Sequence, residues 1–317
     1  METIGNAWLW GGFTAVVAVA LLVDLVLMKH GGPHKVTFKE AAWWSAGWVA
    51  LALLFNAGLW WYLQGSAGPE VANKVGLEFL TGYLVEKALA VDNIFVFLMI
   101  MSYFAVPEEQ RQKVLIIGIL GAIVLRSGMI FAGTALVSQF HWLLYVFGAF
   151  LLLTGWKMWK AAGTEPNLED NPALRWMRKH LRLLPDYHGN AMSVKKDGVR
   201  WFTPLFAVLL LIAVTDVIFA VDSIPAIFAI TTDPFIVLTS NVFAVLGLRA
   251  MFFLLAGLAD RFHLLPYGLA IVLAFIGTKM LLIDLVKIPT LVSLGVVALI
   301  LVVTMVWSVW RPFQSKG

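Results

Sequence analysis

The chain has 317 residues, of which 61% are hydrophobic and 13% charged, and its mean hydropathy is +0.86. Soluble domains carry about 25% charged residues, so this composition excludes a soluble globular protein and implies a membrane-embedded one. The absence of cysteine excludes disulfides, thiolate metal sites and cysteine nucleophiles, and the net charge of +4 acquires meaning only from where the charges fall.

From the N-terminus, "METIGNAWLWGG" has neither a basic leading segment nor a small-residue cleavage site, so the first apolar run reads as a retained span. A helix needs roughly 20 apolar residues to cross the hydrocarbon core. Nine segments qualify: 7–28, 41–63, 77–103, 113–137, 141–160, 201–231, 235–259, 263–286 and 290–310. The expected fold is all-α, a polytopic membrane protein with about nine transmembrane helices. Lys29, Lys35, Lys39, Arg111, Lys113, the basic 157–200 loop, Arg261, Arg311 and Lys316 share one alternating set of connections, and the opposite set holds Lys74 and Lys287. By the positive-inside rule the N-terminus is outside and the C-terminus cytoplasmic.

Between spans five and six, "NPALRWMRKHLRLL" places Leu174, Met177, Leu181 and Leu184 at helical spacing with Arg175, Arg178, Lys179 and Arg182 between them. This pattern suits a basic amphipathic helix on the anionic cytoplasmic leaflet; topogenic charge alone is the alternative.

An internal repeat follows. "LVEKALAVDNIFVFLMI" (84–100) aligns without a gap on "VTDVIFAVDSIPAIFAI" (214–230), pairing Glu86 with Asp216, Asp92 with Asp222 and Asn93 with Ser223. After a small shift, "AIVLRSGM" and "AVLGLRAM" superpose Arg126 on Arg249. "FHWLLY…TGWKM" and "FHLLPY…IGTKM" then pair His141 with His263, Tyr145 with Tyr267 and Lys157 with Lys279. Three-span units in succession enter the membrane from opposite sides, giving an inverted-topology repeat, an architecture that secondary transporters share. The expected organisation is two N-terminal helices (1–76), a first three-helix unit (77–160), the basic loop (161–200), a second unit (201–286), and a last helix with its tail (287–317).

Intramembrane carboxylates cost several kcal/mol and mark ion or proton pathways, facing the bundle interior. Glu86, Asp92, Asp216 and Asp222 are therefore the candidate ion-site acids, with Asn93 and Ser223 as neutral donors and Arg126, Arg249 and Lys87 as supporting charges. In a purely structural reading the acids only brace helices against those cations. Six residues advance a helix by about 600°, leaving the paired acids roughly 120° apart in projection and about 9 Å apart along the axis, so a straight helix cannot aim both at one ion. Pro225 cannot bond the Val221 carbonyl, and a bend is expected there; Phe95 occupies that place in the first unit. Asp92 and Asp222 are expected to meet near the midplane, with Glu86 and Asp216 displaced toward opposite faces. An all-oxygen donor set suits Mg²⁺, Ca²⁺ or Mn²⁺, and excess negative charge suits proton exchange. His141 and His263 read as interfacial residues, Asp24 as a snorkelling or vestibule residue, and Asn56 and Asn241 as helix–helix hydrogen bonders.

"FLTGYLVEKALAVDNIFVF", "TDVIFAVDSIPAIFA" and "TDPFIVLTSNVFAVLGLRAMFFLLAG" resemble the signature stretches of the TerC family over nearly the whole chain. The resemblance implies an inner-membrane protein of the LysE-type transporter superfamily that exports Mn²⁺, with links to tellurite resistance and alkaline response. The resemblance also implies an acid two positions before "TDVIFAVDS", where this chain has Ala213. The alternatives are an accessory protein that delivers metal to exported enzymes, or a tellurite-resistance or pH-response factor that transports nothing itself. No H-E-x-x-H, G-x-S-x-G or Ser–Lys signature speaks for an intramembrane enzyme. No prosthetic cofactor and no nucleic-acid partner are expected; a homo-oligomer or a secretion-machinery partner is left open. The charge asymmetry predicts that a reporter fused after Gly317 reads as cytoplasmic and one inserted at Gly68 as external; the same side for both contradicts the span count.

Overall fold

The computed structural model describes residues 3–30, 37–140, 142–162, 172–196, 198–256, 264–286 and 288–310, with all side chains except those at 25, 27–30, 91, 92, 95, 108 and 222. His141 and His263 lie outside the described residues, as do the side chains of Asp92 and Asp222. The helices are α1 (Ala7–His30), α2 (Phe38–Ser66), α3 (Pro69–Tyr103), α4 (Glu108–Gln139), α5 (Leu143–Ala161), α6 (Pro172–His180), α7 (Pro204–Phe228), α8 (Pro234–Val245), α9 (Leu248–Ala256), α10 (Leu265–Leu281) and α11 (Thr290–Trp310). Proline opens α3, α7, α8 and α10, where its missing N–H costs no helical bond. A short hairpin, β1 (Ser193–Lys196) with β2 (Val199–Phe202), precedes α7.

Each of the nine expected segments is helical over most of its described residues. By length and composition α1, α2, α4, α7 and α11 can each cross a membrane, and α8 with α9, bent by 41° between them, make a sixth candidate. α3 is longer than all of them, but Glu78, Glu86, Lys87 and Asp92 make it too charged for composition alone to mark it as a span. The segment expected as a continuous seventh span is thus broken. The break sits at Gly247, whose φ of +83° suits glycine and whose hydrogen atoms face the Trp48 ring; a Cβ there would lie 2.6 Å from Trp48 Cγ. The helix that carries Pro225, where a bend is expected, continues through the proline to Phe228.

The core is a stack of helix pairs: α5 along α10, α3 against α8, α4 against α7, and α3 crossing α7. α5 and α10 approach until glycine is required. A Cβ on Gly277 would lie 2.8 Å from the Gly148 carbonyl oxygen, and one on Gly155 would lie 2.9 Å from that of Ala270. Small residues allow such close backbone packing between membrane helices. Tyrosines tie the ends of the same pair, Tyr145 donating to the Asp284 carboxylate and Tyr267 to the Ala162 carbonyl.

The 172–203 segment caps the ends of α3, α4 and α7. Leu174 and Met177, expected on the lipid leaflet, are each 1% exposed and packed into the protein core instead. An apolar stripe fits either surface, and here α7 supplies it. Arg178 donates to the Tyr103 hydroxyl (2.5 Å), Gln110 to the Gly189 carbonyl (2.8 Å), and Tyr187 to the Phe104 carbonyl (2.8 Å). Burial pushes the Tyr187 phenol up to about 12, so it remains a donor across the physiological range. Gly277→Ala is predicted to cost about 1–3 kcal/mol by overpacking against backbone and to lower the melting temperature in detergent. Gly295→Ala, with open space around it, leaves the melting temperature unchanged or slightly higher, since alanine is the better helix former.

Candidate ion site

The crossing of α3, α4 and α7 holds the most deeply buried charges among the described residues. Arg126 on α4 is 1% exposed, Glu86 on α3 0% and Asp216 on α7 4%. The guanidinium grips Asp216 through Nη2 to Oδ1 at 3.0 Å and Nε to Oδ1 at 3.2 Å, and its Nη1 pairs with Glu86 Oε1. Two carboxylates on one guanidinium leave one negative charge over. Glu86 Oε2 has no hydrogen-bond partner among the described residues, and a buried charge without a partner is expensive. A cation or a proton supplies what is missing.

The structure therefore brings together Glu86 and Asp216, which the repeat argument expected on opposite faces. They lie side by side because α3 and α7 cross at these residues. Since α3 and α7 run in opposite directions through the crossing, the backbone positions of Asp92 and Asp222, each six residues on, fall about 9 Å to either side of it along the helices. Asn93 and Ser223 are buried, and Ser223 Oγ has no partner among the described residues. No three His, Asp or Glu side chains converge as a metal-ligand set among the described residues.

The supporting cations divide their work unequally. Arg126 takes both acids, whereas its repeat counterpart Arg249 pairs with Asp24 of α1, Nη2 to Oδ1 at 2.5 Å. Asp24, expected to snorkel or to join a vestibule, is thus an ion-pair partner. Lys87 donates to the Ala244 and Leu246 carbonyls at 3.2 and 3.3 Å. Asn241, expected to bond between helices, is fully buried with neither side-chain polar atom partnered among the described residues, and Asn56 Oδ1 is likewise unpartnered.

Sequence reasoning passed over one acid. Glu78, 7% exposed, lines a cavity of about 1040 Å³ with Lys74, Thr134, Thr231 and Asp233. It faces the Thr231 hydroxyl and lies 3.8 Å from Lys74. The available signal was spacing: Glu78, Gly82 and Glu86 recur every four residues and share one face of α3. The cavity also takes in Thr3 and Ile4, so it lies on the side of the N-terminus. Asp233 Oδ2 accepts the Ile4 amide at 2.7 Å, while its Oδ1 caps α8.

Arg126→Gln is predicted to strand both carboxylates and to cost about 3–5 kcal/mol. Adding Asp216→Asn restores part of that loss. Melting temperatures of the single and double variants measure it, and equal losses in both would contradict the pairing.

Comparison with known proteins finds a family of integral membrane proteins. The model of the integral membrane protein TerC family matches residues 71–316. Over 314 residues the chain is 57% identical to "Putative membrane-bound redox modulator Alx" of Escherichia coli K12, covering 99% of this chain and 98% of that protein. It is 50% identical over 301 residues to an uncharacterized membrane protein of Myxococcus xanthus, covering 94% and 92%. A third, an uncharacterized membrane protein of Rickettsia felis, is 39% identical over 302 residues, covering 95% and 97%. No solved structure matches. With a family match from residue 71 to 316 and a relative similar along nearly its whole length, the chain belongs to the TerC family of integral membrane proteins.

Proposed function

We propose that this protein is an inner-membrane divalent-cation transporter that exports Mn²⁺ by alternating access, with protons as the exchanging ion. The observation that carries the reading is the buried Glu86–Arg126–Asp216 cluster, with one negative charge in excess and a carboxylate oxygen left unpartnered. A structural brace needs one acid per guanidinium; a second acid creates a demand that a cation or proton meets. Asp92 and Asp222, whose backbone positions lie one on either side of the crossing, would add, with Asn93 and Ser223, further hard oxygen donors of the kind that suits Mn²⁺.

Alternating access calls for two related halves, and the packing supports an inverted repeat of α3–α5 and α7–α10 within a nine-span topology. Exchanging the two units turns the α3–α8 pair into α7–α4. It also turns the Gly155–Ala270 contact into Gly277–Gly148, and the Tyr145–Asp284 bond into Tyr267–Ala162. The charged residues depart from this exchange, since Arg126 holds both acids while Arg249 is held by Asp24. That asymmetry suits a carrier caught in one of two states. In this state the N-terminal, external side has the cavity lined by Glu78 and Phe228, and the cap of residues 172–203 covers the cytoplasmic ends.

The E. coli relative's name concerns redox modulation. This chain has no cysteine, so thiol–disulfide exchange within it cannot be its contribution to such a role. Purified protein alone in liposomes is expected to carry Mn²⁺ down its gradient. Glu86→Gln and Asp222→Asn reduce the rate by about tenfold or more, equivalent to ~1.4 kcal/mol or more of ion stabilisation, while Asp222→Asn still folds. Absence of uptake by the parent protein favours the accessory, metal-delivering reading.

A further inference from the structure

The break between α8 and α9 leaves a helix end inside the bundle. Every residue of α8 is buried, so the carbonyls of its last turn cannot turn to water for the partners that a continuing helix would have supplied. Carbonyls at a helix C-terminus also carry the negative end of the helix dipole, equivalent to roughly half an elementary charge. A cation is the group that satisfies both demands. In discontinuous transporter helices, unwound carbonyls and half-helix C-terminal ends coordinate a free ion.

Here the place is occupied. Lys87 reaches across from α3, and its ammonium donates to the Ala244 and Leu246 carbonyls at 3.2 and 3.3 Å. The Tyr83 ring lies on another side of it, 5.9 Å from centroid to Nζ. The break itself is held open by Gly247, with Trp48 of α2 seated against it.

The repeat supplies an independent observation. Lys87 aligns with Val217, so the second unit has no such lysine. The helix that α7 packs against, α4, is the counterpart of α8–α9 and is unbroken. In the register of the downstream pairs His141–His263 and Tyr145–Tyr267, Arg126 and Arg249 are out of step by one residue, where "AVLGLRAM" has an additional Gly247 before its arginine. Lysine meets the broken helix in one packing pair, α3 with α8–α9, and valine meets the continuous helix in the exchanged pair, α7 with α4.

We propose that the buried C-terminal end of α8 is a monovalent-cation site which the Lys87 ammonium fills from within the protein. The site takes a compact cation that accepts two carbonyl oxygens, and as long as Lys87 is charged it has no room for a free sodium or ammonium ion. This stands apart from the Mn²⁺ reading: it concerns different residues and is tested without transport.

The test removes the tethered ammonium and offers free ones. Parent, Lys87→Ala and Lys87→Gln proteins are melted in detergent in choline, sodium, ammonium or methylammonium chloride at matched ionic strength. Lys87→Ala is expected to melt below the parent in choline. It should recover, saturably and by roughly 3 °C or more, in ammonium or methylammonium, with a smaller gain in the parent. Lys87→Gln keeps a donor but no charge, and it stays below the parent in choline. The proposal is overturned if Lys87→Ala matches the parent in choline, or if ammonium helps it no more than choline does. Should Lys87→Ala fail to fold in every salt, Lys87→Gln decides: a melting temperature equal to the parent's shows that the charge is not used, and a lower one upholds the site.

Discussion

Burying a carboxylate among membrane helices is tolerable only with a cation beside it, and in this protein two carboxylates depend on one guanidinium. Arg126 of α4 reaches Glu86 of α3 and Asp216 of α7, which places the two acids together where α3 and α7 cross. Other features of the fold follow from that junction. α3 can carry Glu78, Glu86 and Lys87 through the apolar bundle because neighbouring helices bury or pair them. α4 must lie against α7, and α8 against α3, for the crossing to close. The same junction leaves Glu86 Oε2 without a hydrogen-bond partner among the described residues, the feature on which the proposed ion site rests.

The surroundings of the cluster are unequal on its two sides. Toward the N-terminal face, a cavity of about 1040 Å³ brings water-sized space to Glu78, two helical turns above Glu86 on the same face of α3. Toward the other face, the cap of α6 and its hairpin is bonded to the α3–α4 turn. Glu86 itself is fully enclosed. The proposed carrier function rests on this inequality: open on one side, capped on the other and sealed at the acids.

The sequence made some of this plain and concealed the rest for identifiable reasons. A charge within an apolar run is conspicuous, so Glu86, Asp216 and Arg126 could be singled out, and their spacing exposed the repeat. Their mutual distances could not be read, because repeat symmetry relates positions without saying where two helices cross. Arg249 was expected to serve the acids of the repeat, but its partner Asp24 sits on α1, outside both units. The amphipathic stripe of α6 was legible, but a stripe does not reveal whether lipid or protein covers it. At Pro225, where a bend is expected, the helix loses one bond and still continues to Phe228, packed against neighbouring helices. The true break at Gly247 lies in an unremarkable apolar stretch, "AVLGLR", and only the one-residue shift between repeats marked it.

The central claim is that the excess negative charge at the α3–α7 crossing is the place where the transported ion rests. Anomalous scattering from Mn²⁺ in crystals of the protein locates that ion directly. The account predicts a manganese peak within coordination distance of Glu86 or its neighbouring acids, with the Arg126–Glu86 pair loosened as the ion takes the carboxylate. A manganese peak confined to the protein surface, with Arg126 still bridging Glu86 and Asp216, would contradict it.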